Sequence, residues 1–331
     1  MIALTSTLLA LVVLSASADP PSSAAGTTSH GFVTKRGVLS PLDHPRATTV
    51  PATPDGQAGT VTTGINDRGD VLGAYEGRDR VIRHFVRDRK GRFARLEDPP
   101  RGSDFDEYID INNRGEMVGF YNDDQGATTT GFLRTRKGRF VDIVVPGSVV
   151  TGPLKINDRR QVVGIYADRG GAVHGFLWDD GRFRTIDVPR ASNTLLLAIN
   201  NRGQTAGSYI DERGAYHGFV RERNGRVRTL PDAPGTEPAM GGTQPAALND
   251  RGQVVGVAYD ARGGSRAFRF ERGVLTQVDG PRAVFTRALD INNRGEVVGD
   301  YGTRAPAGSA AAQKYMPPNC PPVTFSTWPC T

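Results

Sequence analysis

Short runs of apolar residues, many of them alternating with polar residues, follow one another along most of this chain. The stretch 195–232 is representative, because runs at 195–199, 204–209, 216–222 and 227–230 are separated by Asn, Asp and Gly. Period-2 alternation between turn residues is typical of β-strands joined by tight turns. The pattern therefore predicts an all-β chain with four short strands in each such stretch.

A short motif recurs six times and divides the chain into six units. It reads Ile or Leu, Asn, Asp or Asn, then Arg, and Gly follows in every unit except the third, which has Arg160. The motif asparagines are 43 to 49 residues apart and are Asn66, Asn112, Asn157, Asn200, Asn249 and Asn292. In the first five units a phenylalanine follows the asparagine by 19 or 20 residues, at Phe85, Phe132, Phe176, Phe219 and Phe268. Four-stranded units of this length are typical of β-propeller blades.

The two ends of the chain predict how the units join. No His-Gly-Phe follows Asn292, so the sixth unit lacks its second half, whereas His30-Gly31-Phe32 begins a half-unit near the N-terminus. Joining 30–45 to 288–301 completes a sixth blade. We therefore predict a six-bladed β-propeller of four-stranded blades, closed by N-terminal strands pairing with the C-terminal half-blade, which removes exposed sheet edges. A β-solenoid or an open stack is the alternative.

The termini indicate export. An apolar run from Ile2 to Leu14, followed by small residues, predicts a signal peptide at 1–18 and a secreted protein, and the run is too short to span a membrane. We expect a linker at 19–29, the propeller at 30–301 and a flexible, Pro- and Ala-rich tail at 302–331. Cys320 and Cys330 lie in that tail and can pair in an oxidising compartment.

Arginines dominate the candidate chemistry. A closed propeller places the motif arginines as a ring on one face, where guanidinium groups can bind carboxylates, phosphates or sulfates. These are Arg68, Arg114, Arg159, Arg202, Arg251 and Arg294. A second tier is expected on the same face, at Arg92, Arg139, Arg182 and Arg226, with Lys35 and Arg36. The alternative is that these arginines only solvate turns or pair with nearby Asp. The net charge of +6 permits acidic partners without requiring them.

Other repeated polar positions have structural alternatives. The residue before each motif arginine alternates between aspartate (Asp67, Asp158, Asp250) and asparagine (Asn113, Asn201, Asn293), which hints at paired blades or shared ligation, or arises by chance. His30, His174 and His217 share one repeat position in different units, so we expect a strand-tying hydrogen bond rather than a zinc site. The repeated tyrosines are expected to pack between blades, with a sugar-stacking rim as the alternative.

The motifs of hydrolases, zinc proteases and nucleotide-binding enzymes do not occur in the sequence. We expect no cofactor, no metal, no nucleic acid and a monomer. The leading hypothesis is a secreted binding or scaffold module for an anionic extracellular polymer or a protein partner. A polysaccharide lyase or hydrolase at the channel mouth would depend on the few loop carboxylates Asp55, Asp232 and Glu237, and a purely structural role is the third possibility.

One stretch carries a family resemblance. His174-Gly175-Phe176-Leu177-Trp178, with Ile199-Asn200-Asn201-Arg202-Gly203 downstream, resembles the HAF-repeat extracellular proteins, whose units read His-Ala-Phe-Leu-Trp and then Ile-Asn-x-x-Gly-x-Val-Val-Gly. The match recurs from His30 to Tyr301, with Gly in place of Ala and an Asp-x-Pro ending. The resemblance implies an exported, propeller-like protein and supplies no catalytic residue.

Overall fold

The computed structural model describes residues 27–35, 37–48, 58–99, 106–122 and 128–304. The predicted signal peptide, Asp55 and the two cysteines lie outside these residues. The strands are β1 (Thr27–Lys35), β2 (Val38–Pro41), β3 (Ala58–Ile65), β4 (Val71–Glu76), β5 (Ile82–Arg87), β6 (Phe93–Arg95), β7 (Asp106–Ile111), β8 (Met117–Asn122), β9 (Thr129–Arg134), β10 (Phe140–Ile143), β11 (Val150–Ile156), β12 (Val162–Ala167), β13 (Val173–Asp179), β14 (Arg182–Ile186), β15 (Asn193–Ile199), β16 (Thr205–Ile210), β17 (Tyr216–Arg221), β18 (Val227–Thr229), β19 (Thr243–Leu248), β20 (Val254–Tyr259), β21 (Ser265–Glu271), β22 (Val274–Val278), β23 (Phe285–Ile291) and β24 (Val297–Arg304). A 3-10 turn at Pro238–Met240 is the only helical element in the described part.

The strands form four-stranded antiparallel groups, as predicted. Sheets 1 to 5 are β3–β6, β7–β10, β11–β14, β15–β18 and β19–β22, each a meander in chain order. Sheet 6 is β23, β24, β1 and β2, because β1 pairs with β24 from Thr27↔Arg304 to Val33↔Val298. Strand pairing therefore extends three residues beyond both predicted boundaries of 30–301.

The hydrophobic core lies between successive sheets. The phenylalanines of the repeat are at most 1% exposed, and Phe219 packs with Ile186 and Leu196 between sheets 3 and 4. The same arrangement joins sheet 6 to sheet 1, where Val33 and Val298 pack with Phe85. Burying a phenylalanine contributes about 2 to 3 kcal/mol, so these contacts fix how neighbouring sheets sit. In the described part, no helix is long and apolar enough to cross a membrane.

The first strand of every sheet contains an irregularity at the same place. The pairing register shifts by one residue, and the shift falls immediately before the residue that stands two positions N-terminal to the motif asparagine. Examples are the shifts between Tyr108 and Asp110 and between Pro153 and Lys155. The shift recurs in all six first strands. A bulge of this kind re-aims the side chain that follows it, and the central cavity is lined by several of these residues.

Candidate functional site

The motif asparagines form a continuous ring of hydrogen bonds. Each is 3–4% exposed, and its Nδ2 donates to the backbone carbonyl of the next unit's asparagine at 3.0–3.2 Å. The last of these bonds runs from Asn292 back to Asn66. The same side chain's Oδ1 accepts from the backbone N–H groups two and four residues later, as in Asn200 with Arg202 and Gln204. Both ends of the amide are used, which aspartate could not reproduce because it cannot donate.

The alternating aspartates and asparagines form a second hydrogen-bonded ring, which we call the Asp/Asn ring: Asp67, Asn113, Asp158, Asn201, Asp250 and Asn293. Each backbone N–H in it donates to the next member's Oδ1 at 2.6–2.8 Å. Each asparagine Nδ2 donates to the Oδ2 atoms of both flanking aspartates at 2.8–3.1 Å. The alternation therefore has a chemical reason, and the interpretation by chance is wrong.

The six motif arginines are exposed around these rings, but they differ in their partners. Arg68 and Arg294 pair with Asp70 and Glu296, the carboxylates two residues later. Arg159 bonds the neutral Gln161 at 2.9 Å. The remaining three have no ion pair or side-chain hydrogen bond to the described residues; they are Arg114, Arg202 and Arg251. The ring of guanidinium groups is thus neutralised in some units and open in others.

Arg160 takes the glycine position of unit 3 without altering the turn. Its φ of 63° is left-handed, as in the glycines of the other units, and its N–H donates to Asn157 at the same 3.0 Å that Gly69 keeps to Asn66. Its guanidinium forms an ion pair with Glu116 of unit 2, which is 5% exposed. Burial raises the pKa of Glu116, but hydrogen bonds from Arg160 and Asn112 lower it overall. An ion pair between sheets therefore offsets the backbone strain.

A buried group of charged side chains lies in the central cavity below the rings. Lys155 Nζ is 3.4 Å from Asp110 Oδ1 and 3.1 Å from Asp290 Oδ1, and all three side chains are less than 10% exposed. The second oxygen of each carboxylate accepts a backbone N–H of the next sheet, from Ile156 at 2.8 Å and from Ile65 at 2.7 Å. Sequence reasoning missed this group, which we call the channel triad.

The channel triad holds two carboxylates against one ammonium. Burial, reinforced by the charge of Asp290, raises the pKa of Asp110 to about 7 against the opposing effect of Lys155. Burial lowers the pKa of Lys155, but the two carboxylates raise it above its usual value. The cavity has a volume of about 70 Å³, room for a few water molecules rather than for a sugar ring.

The repeated histidines bond within their own sheets, whereas the tyrosines also pack in the core between sheets, as Tyr75 does with Val33 and Val298. His30 and His174 each bond the aspartate of an Asp-x-Pro element at 2.8 Å, whereas His217 bonds Asp211 at 3.0 Å. Tyr166 stacks on His174 with ring centroids 5.0 Å apart. The described residues contain no group of three or more side chains able to hold a metal ion. These contacts support the expected structural role of the histidines and tyrosines.

Two of the three loop carboxylates, Asp232 and Glu237, lie in the described part of the chain, and they are not arranged as an acid/base pair. Glu237 caps the 3-10 turn by accepting from the backbone N–H of Ala239 at 3.4 Å, and Asp232 is exposed without an ion pair to the described residues. The enzymatic alternative therefore receives no support from these loops.

Comparison with known proteins is informative at the level of the fold. No protein-family model and no curated protein matches the chain. A TolB-like protein from Agrobacterium tumefaciens matches with a TM-score of 0.61 and 11% identity, over 84% of this chain and 99% of that one. TolB from Acinetobacter baumannii matches with a TM-score of 0.51 and 10% identity, over 90% and 68%. The β-propeller domain of the Trilobed protease from Pyrococcus furiosus gives 0.48 and 10%, over 83% and 88%. The chain is an all-β protein with a β-propeller fold.

Proposed function

We propose that this chain is a secreted, closed six-bladed β-propeller that binds an anionic extracellular polymer on the face carrying the motif arginines. Closure is supported by the hydrogen bonds that return from unit 6 to unit 1, by the pairing of β1 with β24 and by the core between sheets 6 and 1. Export and a place among the HAF-repeat proteins are supported by the sequence alone.

The observation that carries the binding proposal is the unequal pairing of the arginines. In units 2, 4 and 5 the motif guanidinium is exposed and forms no ion pair with the described residues. The residue four positions after the asparagine is Gln204 or Gln253 in units 4 and 5, and in unit 2 it is Glu116, which is already engaged by Arg160. A guanidinium group left free of carboxylates keeps its donors available for an external oxyanion. Six such turns held side by side by hydrogen bonds present these donors on a rigid frame.

The test replaces the three open arginines by serine, in a variant Arg114→Ser/Arg202→Ser/Arg251→Ser. The matched control removes three exposed arginines from the opposite turns, between the second and third strands of sheets 3, 4 and 5: Arg169→Ser/Arg213→Ser/Arg262→Ser. Both variants lose three positive charges. We expect the first to elute from heparin at clearly lower salt and the control to elute close to the wild type. Equal shifts in both variants would show a general charge effect and refute a binding face.

Cleavage of a polysaccharide is less well supported. It requires an acid and a base that a sugar can approach, whereas Asp110, Lys155 and Asp290 lie below the ring of asparagines in a small cavity. Within the described residues the channel triad is better explained as an internal polar contact between sheets. We therefore favour binding over catalysis.

A further inference from the structure

Two arginines face each other across the boundary of sheets 3 and 4. Arg184 in β14 lies on the same side of its sheet as Leu177 and Ile186, and Arg221 in β17 lies on the same side as Phe219. Those apolar residues pack together in the core between sheets 3 and 4. Burial and the positive charge of Arg184 lower the pKa of Arg221. Like charges facing each other without an acid between them are destabilising.

A second pair of arginines borders the first. Gly203 is flanked by the side chains of Arg159 and Arg223. A Cβ atom added to Gly203 would lie 2.9 Å from Arg159 Nη2 and 3.6 Å from the nearest side-chain carbons of Arg223. Arg221 Nη2 lies 3.3 Å from the corresponding place on Gly225, in the same β17–β18 turn that carries Arg223. The turn thus brings the two pairs into one inter-sheet arginine cluster, consisting of Arg159, Arg184, Arg221 and Arg223.

The acids near this cluster are engaged by neutral side chains. Gln161 Nε2 donates to Asp179 at 2.9 Å, and Gln204 Nε2 donates to Glu222 at 2.7 Å. None of the four arginines forms an ion pair with a carboxylate of the described residues. By contrast, Arg92 in the corresponding turn of sheet 1 forms an ion pair with Asp88 at 2.7 Å. The cluster is therefore positive charge that the fold concentrates and leaves open.

We propose that the inter-sheet arginine cluster is a specific site for a tetrahedral oxyanion, a sulfate ester or phosphate group borne by the polymer that the arginine face binds. Guanidinium groups bind such oxyanions in a bidentate manner, and several of them together can match two negative charges. A bound oxyanion would also relieve the repulsion between Arg184 and Arg221. This inference rests on the proposed function for its polymer, but not for the site itself.

The test uses replacements that other units already contain. Thr34 and Thr276 occupy the positions of Arg221 and Arg184 in sheets 6 and 5, so the variant is Arg184→Thr/Arg221→Thr in the full chain. The control is Arg87→Thr. Arg87 is the residue of sheet 1 that corresponds to Arg221 of sheet 4, but the sheet before it, sheet 6, has Ser40 at the position that corresponds to Arg184. We expect the dissociation constants for heparin and for polyphosphate, measured separately, to rise about 10- to 100-fold in the variant, because charged hydrogen bonds are lost. The control should change them only about two- to threefold.

A second measurement separates the site from the polymer. Inorganic phosphate and sulfate should raise the Tm of the wild type and not that of the variant, and without anions the variant should melt at or above the wild-type temperature.

The two polymers distinguish the two groups that the site could bind. Tighter binding of heparin identifies a sulfate ester, and tighter binding of polyphosphate identifies a phosphate. Polymer binding that survives in the variant overturns the site but leaves the proposed function standing. Anion-dependent stabilisation without any polymer binding supports the site and refutes the polymer. If the double variant does not fold, the exposed single variant Arg184→Thr carries the same comparison.

Discussion

Replacing Asn201 by Asp should make the stability of this protein strongly dependent on pH. In the wild type, Asn201 Nδ2 donates to Asp158 Oδ2 at 2.9 Å and to Asp250 Oδ2 at 3.1 Å. The variant puts a third carboxylate between these two. It keeps the bond that Oδ1 accepts from the backbone of Asp158 at 2.8 Å, so only the donor side of residue 201 is altered.

The magnitude follows from comparing two ways of accommodating the new charge. Two carboxylate contacts at about 3 Å repel by about 5 kcal/mol each at an effective dielectric constant of about 20. Binding a proton instead costs about 4 kcal/mol at pH 7 for a group whose ordinary pKa is near 4. Protonation is therefore the favoured response, and the resulting O–H can restore one of the two lost hydrogen bonds. The other loss adds about 1 to 2 kcal/mol.

We therefore expect Asn201→Asp to lower the free energy of unfolding by about 5 kcal/mol at pH 7 and by about 1 to 2 kcal/mol at pH 4. The new carboxyl at residue 201 has a higher pKa in the folded than in the unfolded protein. The free energy of unfolding therefore falls as pH rises through the interval between these two pKa values. Urea unfolding at both pH values measures the loss, with Asn224→Asp in an exposed turn as the control for added charge. A loss that is the same at pH 4 and pH 7 would refute this account of the ring. A variant in which every aspartate of the ring is replaced by asparagine and every asparagine by aspartate also has Asp at residue 201, but it keeps the alternation. This variant should be about as stable as the wild type.

Three further changes test other contacts. Asp110→Asn should flatten the dependence of the denaturation midpoint on pH between about 4 and 7, because the pKa of this buried carboxyl is raised to about 7, which makes the group stabilising at low pH and less so as pH rises to that value; an unchanged slope would contradict this. Arg160→Gly alone should change the free energy of unfolding by less than about 1 kcal/mol, because the strain that it relieves is offset by the ion pair that it removes. In a Glu116→Gln background, where only the strained φ remains, the same substitution should stabilise the protein by about 1 kcal/mol. Equal effects in both backgrounds would exclude compensation by the ion pair. Asn200→Asp should lower the free energy of unfolding by about 3 kcal/mol, since it sets a carboxylate against the carbonyl of Asn249, and a loss below 1 kcal/mol would mean that the ring bond contributes little.

The strands could be predicted from the sequence because their signals are local. The run 216–222 corresponds to β17, which is Tyr216–Arg221, and the run 227–230 corresponds to β18, which is Val227–Thr229. Alternating side chains and turn residues act over a few positions, so their effect is visible without knowledge of the fold. The four-stranded groups followed for the same reason.

The partners of the motif side chains could not be predicted in the same way. The Nδ2 of each of the first five motif asparagines bonds a residue 43 to 49 positions away, which no local pattern indicates. The channel triad was missed because its position holds different residues in different units: Gly64, Asp110, Lys155, Ala198, Ala247 and Asp290. Aligning the six units would have drawn attention to three charges in an otherwise apolar or small position. Whether an arginine is open depended on residues such as Asp70 and Gln204, which sequence reasoning did not compare.

The Asp/Asn ring limits how this protein can change its number of repeats. Around a ring of hydrogen bonds, donors and acceptors can alternate without a fault only if the number of members is even. Duplicating or deleting a single unit would bring two aspartates or two asparagines together, at a loss of several kcal/mol. Lineages that carry this ring should gain or lose repeats in pairs, and an odd-numbered relative should show a substitution at the junction.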